Sequence, residues 1–267
     1  MRVAVVGHVE WAEFVRVDRL PQPGEIVHAE DRWDGVGGGG AVAAVELARL
    51  CGESLFLTAL GDDALGRRAA SELRARGVRV EAALRPEPQR RVFVHVDAAG
   101  ERTITVIGRR IAPARADPLP WHALADCDAI YFTAGDPEAL RAARAARVLV
   151  ATPRALATLV AAHVRLDALV GSARDAGERV GPGALDPPPD ALVQTEGSAG
   201  GRWVRAAGAM GRFEAAPLAG PIVDTYGAGD SFAAGLTWSL GAGRPLAVAL
   251  GDAARSGAAA LLRRGPV

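Results

Sequence analysis

Short apolar runs alternate along the chain with longer stretches rich in Ala, Leu and Arg. The runs predicted to be strands are residues 2–6, 54–60, 128–132, 147–151, 167–171 and 191–195. Helical stretches separate most of them, including residues 41–50 and a segment from Asp63 to Arg76 that stops at Gly77. This alternation predicts an α/β fold with a central, mostly parallel sheet covered by helices on both faces.

A second pattern interrupts this alternation. Val92, Val94 and Val96 alternate with polar residues toward a turn at 98–101, and residues 102–106 return, which predicts a β-hairpin. Residues 10–30 contain prolines and glycines in place of a crossover helix and indicate short strands and turns. A small antiparallel sheet is therefore expected, inserted at about 9–36 and 88–108 of a single domain spanning 1–267.

The C-terminal part is predicted to contain two short strands, 202–205 and 212–214, and a strand end at 221–223. A helix is expected to follow the glycines near residue 229, and a last helix is expected over 245–264.

Composition narrows the function classes. The formal charge is zero, so the composition shows no excess of basic residues of the kind that binds nucleic acid or an anionic membrane. The chain has no Lys and no Asn, so a P-loop, a protein-kinase site and a pyridoxal site are excluded in their usual forms. No signal peptide or spanning stretch is recognised, and Cys51 and Cys127 stand alone, so a cytoplasmic protein is expected.

The most informative stretch is DTYGAGDSF at residues 224–232. Gly227, Ala228 and Gly229 would offer main-chain N–H groups at a helix N-terminus, where phosphates bind. Asp230 would lie beside them in the first turn and could accept a proton from a hydroxyl. The alternative is a helix cap whose Asp only complements the helix dipole.

This stretch resembles the C-terminal signature, D-T-x-G-A-G-D-x-F, of the PfkB or ribokinase-like family of carbohydrate and nucleoside kinases. The resemblance implies that Asp230 is the catalytic base and that residues 227–229 form the anion hole. It also implies ATP and Mg²⁺ as cofactors, and a monovalent cation such as K⁺ near Asp224 in some members.

An N-terminal segment, GGGGAV at residues 37–42, resembles the family signature G-G-x-G-x-N, whose glycines contact the sugar. Gly37 and Gly38 are therefore expected at the substrate. Val42 stands where the family has its Asn, and Ala12 stands at the register of a substrate-binding Asp. Glu10 and Glu13 flank Ala12, and Glu10 is the better candidate to replace that Asp. These departures indicate a changed acceptor specificity or a loss of turnover.

Other segments resemble the nucleotide side of the family site. TEGSAG at 195–200 is similar to a T-x-G-x-x-G turn, which implies that Thr195 and Gly197 line the ATP site together with Thr225. SARD at 172–175 stands where the family has N-x-x-E, so Asp175 is the candidate for organising metal and phosphate. An ordinary surface turn is the alternative there. The acids of GDDALG at 61–66 are expected to cap a helix.

The hairpin resembles the family lid, which covers the sugar and can pair two subunits. Arg109 and Arg110 end the hairpin and could reach an anionic group, although solvated side chains are the favoured expectation.

The sequence thus predicts an ATP-dependent phosphotransferase acting on a hydroxyl, a primary alcohol being favoured, of a sugar or sugar-like molecule. The alternatives are a nucleoside kinase of the same fold and a nucleotide- or sugar-binding member without activity. A dinucleotide enzyme is disfavoured because no G-x-G-x-x-G follows the first strand. The expected partners are a small-molecule substrate and a second subunit bound through the lid, with no nucleic acid or membrane.

Overall fold

A computed structural model describes residues 1–98 and 100–265; Ala99, in the predicted hairpin turn, lies outside the described residues. The strands are β1 (Val3–Val6), β2 (Glu10–Arg16), β3 (Asp31–Gly37), β4 (Ser54–Gly61), β5 (Val78–Arg85), β6 (Arg91–Val96), β7 (Arg102–Ile107), β8 (Ala129–Phe132), β9 (Val148–Ala151), β10 (Ala168–Ser172), β11 (Ala191–Thr195), β12 (Gly201–Arg205) and β13 (Met210–Phe213). The helices are α1 (Gly39–Cys51), α2 (Ala64–Ala75), α3 (Pro137–Ala143), α4 (Leu156–Ala162), α5 (Ala228–Gly241) and α6 (Leu246–Ala260).

The main sheet confirms the predicted α/β architecture. Among the described residues it has nine strands in the order β13-β12-β11-β10-β9-β8-β1-β4-β5. The strands from β11 to β5 are parallel, and β12 and β13 extend one edge in antiparallel pairing. The carboxyl ends of the parallel strands therefore meet at one edge, where α/β proteins place their ligands.

Helices cover both faces of this sheet. Side chains of β1 alternate between two apolar cores: Val3 and Val5 belong to one, and Ala4 and Val6 to the other. Helices α1, α2, α5 and α6 pack on the first face, and α3 and α4 on the second. Within the described ranges, no helix combines the length and apolarity needed to cross a membrane.

A second sheet forms the predicted lid. Its order is β3-β2-β6-β7, with two antiparallel hairpins joined by the parallel pair β2–β6. One face packs on a small apolar cluster. This cluster, the lid core, contains Ala12, Phe14, Val42, Val92, Val94, Val96 and Tyr226. Tyr226 belongs to the turn before α5, so the lid rests directly on that turn.

Three sequence expectations about elements were wrong. Strand β5 was missed; it pairs only with β4 at the sheet edge, and its half-buried alternation is a weak signal. Residues 221–223 are not a strand: the Val223 N–H donates to the Leu261 carbonyl, so this segment runs beside the end of α6. Helix α6 ends at Ala260, four residues before the predicted end, because the chain turns at Leu261 to make that contact.

Candidate active site

The N-terminus of α5 forms the predicted cradle of main-chain N–H groups. Gly227 caps the helix with φ 75°, a left-handed conformation that glycine adopts without strain. The first N–H groups of the helix have no partner within it and point outward. A Cβ placed on Gly229 would have no atom within 4 Å, so the approach to Asp230 is open.

Asp230 faces the N-terminus of α1, which the glycine run begins. A Cβ on Gly39 would lie 2.6 Å from Oδ1 of Asp230. The two glycine-rich turns, almost 190 residues apart in sequence, thus meet at one carboxylate. Gly39 itself was not singled out from the sequence, although it lies in the run that was.

Tyr226 connects these two turns. The Gly38 N–H donates to its hydroxyl at 3.0 Å, and its ring meets Phe14 of the lid edge-on at 5.3 Å. Arg102, at the start of β7, donates to the Thr225 carbonyl and stacks over the Tyr226 ring. The sequence reasoning missed Tyr226 and Arg102, because both act through contacts with distant segments.

Asp224 lies at the start of the turn that precedes α5. It is 2% exposed, and its oxygens accept from the N–H of Tyr226 at 2.9 Å and of Gly265 at 3.2 Å. This carboxylate therefore fixes the turn to the chain segment after α6.

The predicted acceptor residues come together at the hinge of the lid. Glu10 begins β2 directly opposite Gly37, the last residue of β3. Gly38 has φ 88°, and a Cβ there would lie 3.0 Å from the Glu10 nitrogen. Val42 lies elsewhere: it is 4% exposed and packs with Ala12 in the lid core. The two positions that depart from the family pattern therefore belong to the same apolar cluster.

Glu10 lies in a cluster of cationic and polar side chains. Its Oε1 is 2.8 Å from Nε of Arg90 and 3.7 Å from Nε2 of His8. Burial raises the pKa of Glu10, and the charges of Arg90, Arg110 and Arg154 oppose that rise. Burial, reinforced by the same arginines, lowers the pKa of His8 to about 3, so this imidazole is neutral.

A second ion-pair cluster is centred on Arg154, whose charge acts on both Glu10 and Asp230. Arg154 contacts Asp175, and its Nε lies 2.8 Å from Oε1 of Glu178. Glu178 also accepts from the Ser172 N–H at 2.9 Å. The predicted Asp175 therefore contacts Arg154. Glu178, three residues further along the chain, contacts the same arginine, and the sequence analysis missed it because the family spacing pointed to residue 175.

These surroundings set the protonation of Asp230. Burial raises its pKa to about 7, and the neighbouring carboxylates of Glu178 and Glu10 add to the rise. Arg102 and Arg154 oppose it. A carboxyl group with a pKa near neutrality is suited to accept a proton in the physiological range.

The nucleotide-side residues follow the ends of neighbouring strands. Thr195 ends β11 beside Ser172 of β10, and Gly197 turns with φ 68° so that Arg174 packs directly against it. Between the chain after β13 and α6 lies a cleft of about 510 Å³. Small side chains dominate its lining: Ala215, Ala216, Ala219, Gly251, Ala254, Ala258 and Ala259.

Buried polar atoms without a partner gather around these turns. Within the described residues, three of the five buried side-chain atoms without a hydrogen-bond partner are His8 Nδ1, Thr133 Oγ1 and Thr225 Oγ1; the other two belong to Trp33 and Arg90. Native proteins rarely leave such atoms unpaired unless a ligand, ion or water meets them. Their positions after β1, after β8 and before α5 mark the same edge of the sheet.

Expectations for other polar residues had mixed outcomes. Asp63 caps α2, as predicted, by accepting from the Gly66 N–H at 2.8 Å. Arg109 is exposed, also as predicted. Arg110 is exposed as well, and its guanidinium donates to the Arg154 carbonyl at 3.4 Å while its charge opposes the rise in the pKa of Glu10.

Comparison with known proteins gives curated relatives for part of the chain. The ribokinase of Staphylococcus aureus (strain COL) is 28% identical over 110 residues, which are 40% of this chain and 36% of that protein. The ribokinase of Dictyostelium discoideum is 29% identical over 108 residues, 40% of this chain and 34% of that protein. These matches span about a third of the length of either relative.

Solved structures resemble the whole chain. A putative ribokinase from Agrobacterium tumefaciens has a TM-score of 0.79 at 20% identity, covering 99% of this chain and 92% of that one. The adenosine kinase of Sinorhizobium meliloti has a TM-score of 0.78 at 20% identity, with 99% and 95% covered. Arabidopsis thaliana ribokinase, complexed with ribose and ATP, has a TM-score of 0.75 at 20% identity, with 99% and 93% covered. These likenesses establish a ribokinase-like fold. Because residues 1–267 match the pfkB family of carbohydrate kinases from end to end, the chain belongs to that family.

Proposed function

We propose that this protein is an ATP-dependent phosphotransferase that phosphorylates a hydroxyl, preferably a primary alcohol, of a sugar or sugar-like molecule. The proposal rests on one observation. The free main-chain N–H groups at the N-terminus of α5 lie beside Asp230, a carboxyl group whose pKa is about 7. Family membership supports it.

In this mechanism Asp230 takes the proton of the acceptor hydroxyl. The acceptor oxygen forms a bond to the γ-phosphorus of ATP, the bond from that phosphorus to the β,γ-bridging oxygen breaks, and ADP leaves with its electron pair. The N–H groups of Gly227, Ala228 and Gly229 stabilise the negative charge on the transferring group. Arg102 holds the lid on the turn, which excludes water that would otherwise compete as acceptor.

ATP is proposed to bind along the edge that Thr195, Gly197 and Thr225 share, with its base in the cleft beside α6. The unpartnered hydroxyl of Thr225 and the small side chains of that cleft support this placement. The Arabidopsis ribokinase with ribose and ATP, and a ribokinase from Cryptococcus neoformans var. grubii in complex with ADP, share the fold.

Two cations belong to the proposal. Glu178 and Asp175 supply the carboxylate oxygens that Mg²⁺ prefers when it also binds phosphates and water, and Mg²⁺ would neutralise the charge of the transferred group. Asp224 would contribute to a site for a monovalent cation such as K⁺. Its buried carboxylate accepts two N–H groups and keeps further lone pairs available. Activity measured in K⁺ against the same concentration of Na⁺ tests this part.

A nucleoside kinase is the second candidate. The similarity of fold to an adenosine kinase favours it, and the apolar Val42 and Ala12 remove two polar groups from the family's sugar site. A member that binds ligands without turnover is the remaining alternative, which the assay below separates.

We also propose that the protein is cytoplasmic and that it forms a homodimer through its lid. Ile104, Val106 and Ile107 on β7 at the lid edge are 40–50% exposed, and an unpaired apolar edge strand favours pairing. The free thiols of Cys51 and Cys127 fit a reducing compartment. Sedimentation of the wild type against an Ile104→Arg variant tests the dimer.

The direct experiment measures ADP release from ATP and Mg²⁺ with a panel of sugars and nucleosides. We expect turnover with at least one acceptor, and a loss of roughly 10²–10⁴-fold in Asp230→Asn while ATP binding persists. An Asp230→Asn variant with full activity would refute the assignment of the base. ATP binding without turnover on any acceptor would favour the binding-protein alternative.

A further inference from the structure

The G-D-D-x-x-G segment at residues 61–66 makes contacts beyond the cap of α2. One oxygen of Asp63 accepts from the Gly66 N–H at 2.8 Å and caps the helix. The other oxygen accepts from the Gln89 N–H, also at 2.8 Å. Gln89 lies between β5 and β6, two residues before the lid strand β6 begins. The carboxylate therefore holds both the start of α2 and the entry of the chain into the lid.

The two glycines of this segment make room for those contacts. A Cβ on Gly61 would lie 2.4 Å from the Gln89 nitrogen, and a Cβ on Gly66 would lie 2.0 Å from the Gly61 oxygen. A side chain at either position would therefore force the main chain apart, because close-packed interiors do not absorb such overlaps. Glycine at residue 61 is thus explained by the close approach of Gln89.

The side chain of Gln89 joins two main-chain segments. It is 2% exposed, its Oε1 accepts from the Gly61 N–H at 3.1 Å, and its Nε2 donates to the Val9 carbonyl at 2.9 Å. One partner is a donor and the other is an acceptor, so only one orientation of the amide satisfies both. Gly61, Asp63, Gln89 and Val9 form a continuous set of hydrogen bonds, the hinge network, between the end of β4 and the start of β2.

The Val9 carbonyl belongs to the peptide that leads into Glu10. The same peptide packs against Gly38, where a Cβ would lie 3.0 Å from the Glu10 nitrogen and 3.3 Å from the Val9 carbonyl carbon. The Gly38 N–H in turn donates to the Tyr226 hydroxyl at 3.0 Å. The Val9–Glu10 peptide is therefore fixed between the hinge network and the turn before α5, and its orientation sets the direction of the Glu10 side chain.

The partner of Glu10 depends on the same network. Arg90 directly follows Gln89, and its main-chain carbonyl accepts from the Trp11 N–H at 2.9 Å. Its Nε lies 2.8 Å from Oε1 of Glu10. Breaking a bond in a buried network leaves a polar group unpaired, which is costly, so such networks hold a single arrangement. The main chains of both members of this ion pair are thus held next to Gln89.

We propose that Gln89 is a positioning residue, which holds Glu10 and Arg90 in the orientation that binds the acceptor. The inference rests on the proposed phosphotransferase function, with Glu10 as a residue of its acceptor site. It also gives the G-D-D-x-x-G segment a part in acceptor binding: the segment holds Gln89 in place, and Gln89 acts through Glu10 and Arg90.

The kinetic experiment compares the wild type with Gln89→Met, which keeps the volume of the side chain and removes both of its hydrogen bonds. Ribose, fructose and adenosine serve as acceptors, and ADP release is measured. We expect kcat/KM for the acceptor to fall about 10–100-fold, chiefly through a higher KM, because Glu10 is no longer held in place. The KM for ATP should stay unchanged.

Gln89→Glu is a second variant, in case Gln89→Met does not fold. Its carboxyl oxygens can still accept from the Gly61 N–H, but the amide donor to the Val9 carbonyl is gone. The acceptor KM should rise in this variant as well. An unchanged acceptor KM in the variants that fold would overturn the proposal, and so would an equal rise in the KM values of ATP and the acceptor.

Ser54→Ala is the matched control. Ser54 is 1% exposed and donates to the Ala44 carbonyl at 2.7 Å, at the start of β4 and so at the other end of that strand from Gly61. The variant loses a buried hydrogen bond, so its Tm should fall while its acceptor KM stays that of the wild type. The same kinetic profile in Gln89→Met, with only the Tm lowered, would show that the hinge network is merely structural.

Hydrogen exchange keeps this inference separate from the phosphotransferase proposal. Exchange of the main-chain amides in β2 and β6 is measured in the wild type, Gln89→Met and Ser54→Ala, without ATP or acceptor. Faster exchange in these strands of Gln89→Met alone would support the positioning role even if no acceptor were turned over. Equal exchange in all three proteins would overturn it. A wild type that turns over no acceptor would count against the phosphotransferase proposal only.

Discussion

Replacing Asp230 by Asn should make the protein more stable, in addition to lowering its turnover roughly 10²–10⁴-fold. In the folded protein the pKa of Asp230 rises from its ordinary value of 3.8 to about 7, chiefly because the carboxyl is buried, and further because Glu178 is near. The folded state therefore prefers the neutral acid, while the unfolded chain ionises near pH 4. At neutral pH the ionised carboxylate of Asp230 lowers the free energy of unfolding. Asn is uncharged, so the variant avoids this loss.

The difference between these pKa values sets the magnitude. At 1.36 kcal/mol for each unit of pKa, the ionised carboxylate destabilises the wild type by at most about 4 kcal/mol above pH 7. Asp230 is only half-buried by its accessible surface, so solvent screening reduces this to about 1–3 kcal/mol. For a chain of this size the gain corresponds to a Tm higher by roughly 2–8 °C.

The dependence on pH is the sharper test. As the pH rises from about 4 to about 7, ionisation of Asp230 lowers the free energy of unfolding of the wild type. A further rise in pH does not lower it any more. The Tm of Asp230→Asn should therefore exceed that of the wild type by a margin that grows between pH 5 and pH 7 and stays constant between pH 8 and pH 9. Thermal denaturation of both proteins in matched buffers measures it.

Asp63→Asn provides a control of opposite sign. Burial raises the pKa of Asp63, but hydrogen bonds from the Gly66 and Gln89 N–H groups outweigh it and hold the pKa below its ordinary value. This variant should be less stable than the wild type from pH 5 to pH 9. A margin for Asp230→Asn that does not change with pH would show that its carboxyl is not destabilised by burial.

Three further substitutions test contacts around the same carboxylate. Gly39→Ala should lower kcat at least about 100-fold because the added Cβ would displace the Asp230 carboxylate. The control is Gly181→Ala, which should leave kcat unchanged because a Cβ there meets no atom within 4 Å. Glu178→Gln should move the acid limb of the kcat–pH profile to lower pH, because the charge of Glu178 raises the pKa of Asp230; a profile that stays in place would contradict this. Arg102→Ala should raise ATP hydrolysis in the absence of acceptor, measured as ADP release, because the lid loses its hold on the turn before α5; hydrolysis at the wild-type rate would count against that role.

Local patterns in the sequence were enough to predict the parallel sheet, the lid and the cradle. Strands such as β1 and β8 are buried on both faces and appear as continuous apolar runs, and the glycines before α5 determine the turn they form. Strand β5 and the end of α6 escaped prediction because each depends on a tertiary neighbour: β4 for the first, and Val223 for the second.

The site divides in the same way. Glu10, Gly37 and Gly38, which the sequence analysis assigned to the acceptor, lie next to strand ends, so knowledge of the fold is sufficient to bring them together. Tyr226 contributes through a hydroxyl that reaches the Gly38 N–H, 188 residues away, and no local pattern encodes that contact.

Arg110 shows why a charged pair in a sequence cannot be interpreted without its register. Arg109 and Arg110 are chemically identical neighbours, and only the second reaches the site. The pairing of β6 with β7 returns the chain to Arg90, and from there the guanidinium of Arg110 meets the Arg154 carbonyl. A shift of one residue in that pairing would exchange the faces of the two arginines. The different surroundings of these two arginines are therefore fixed by the register of the lid hairpin and not by any local sequence pattern.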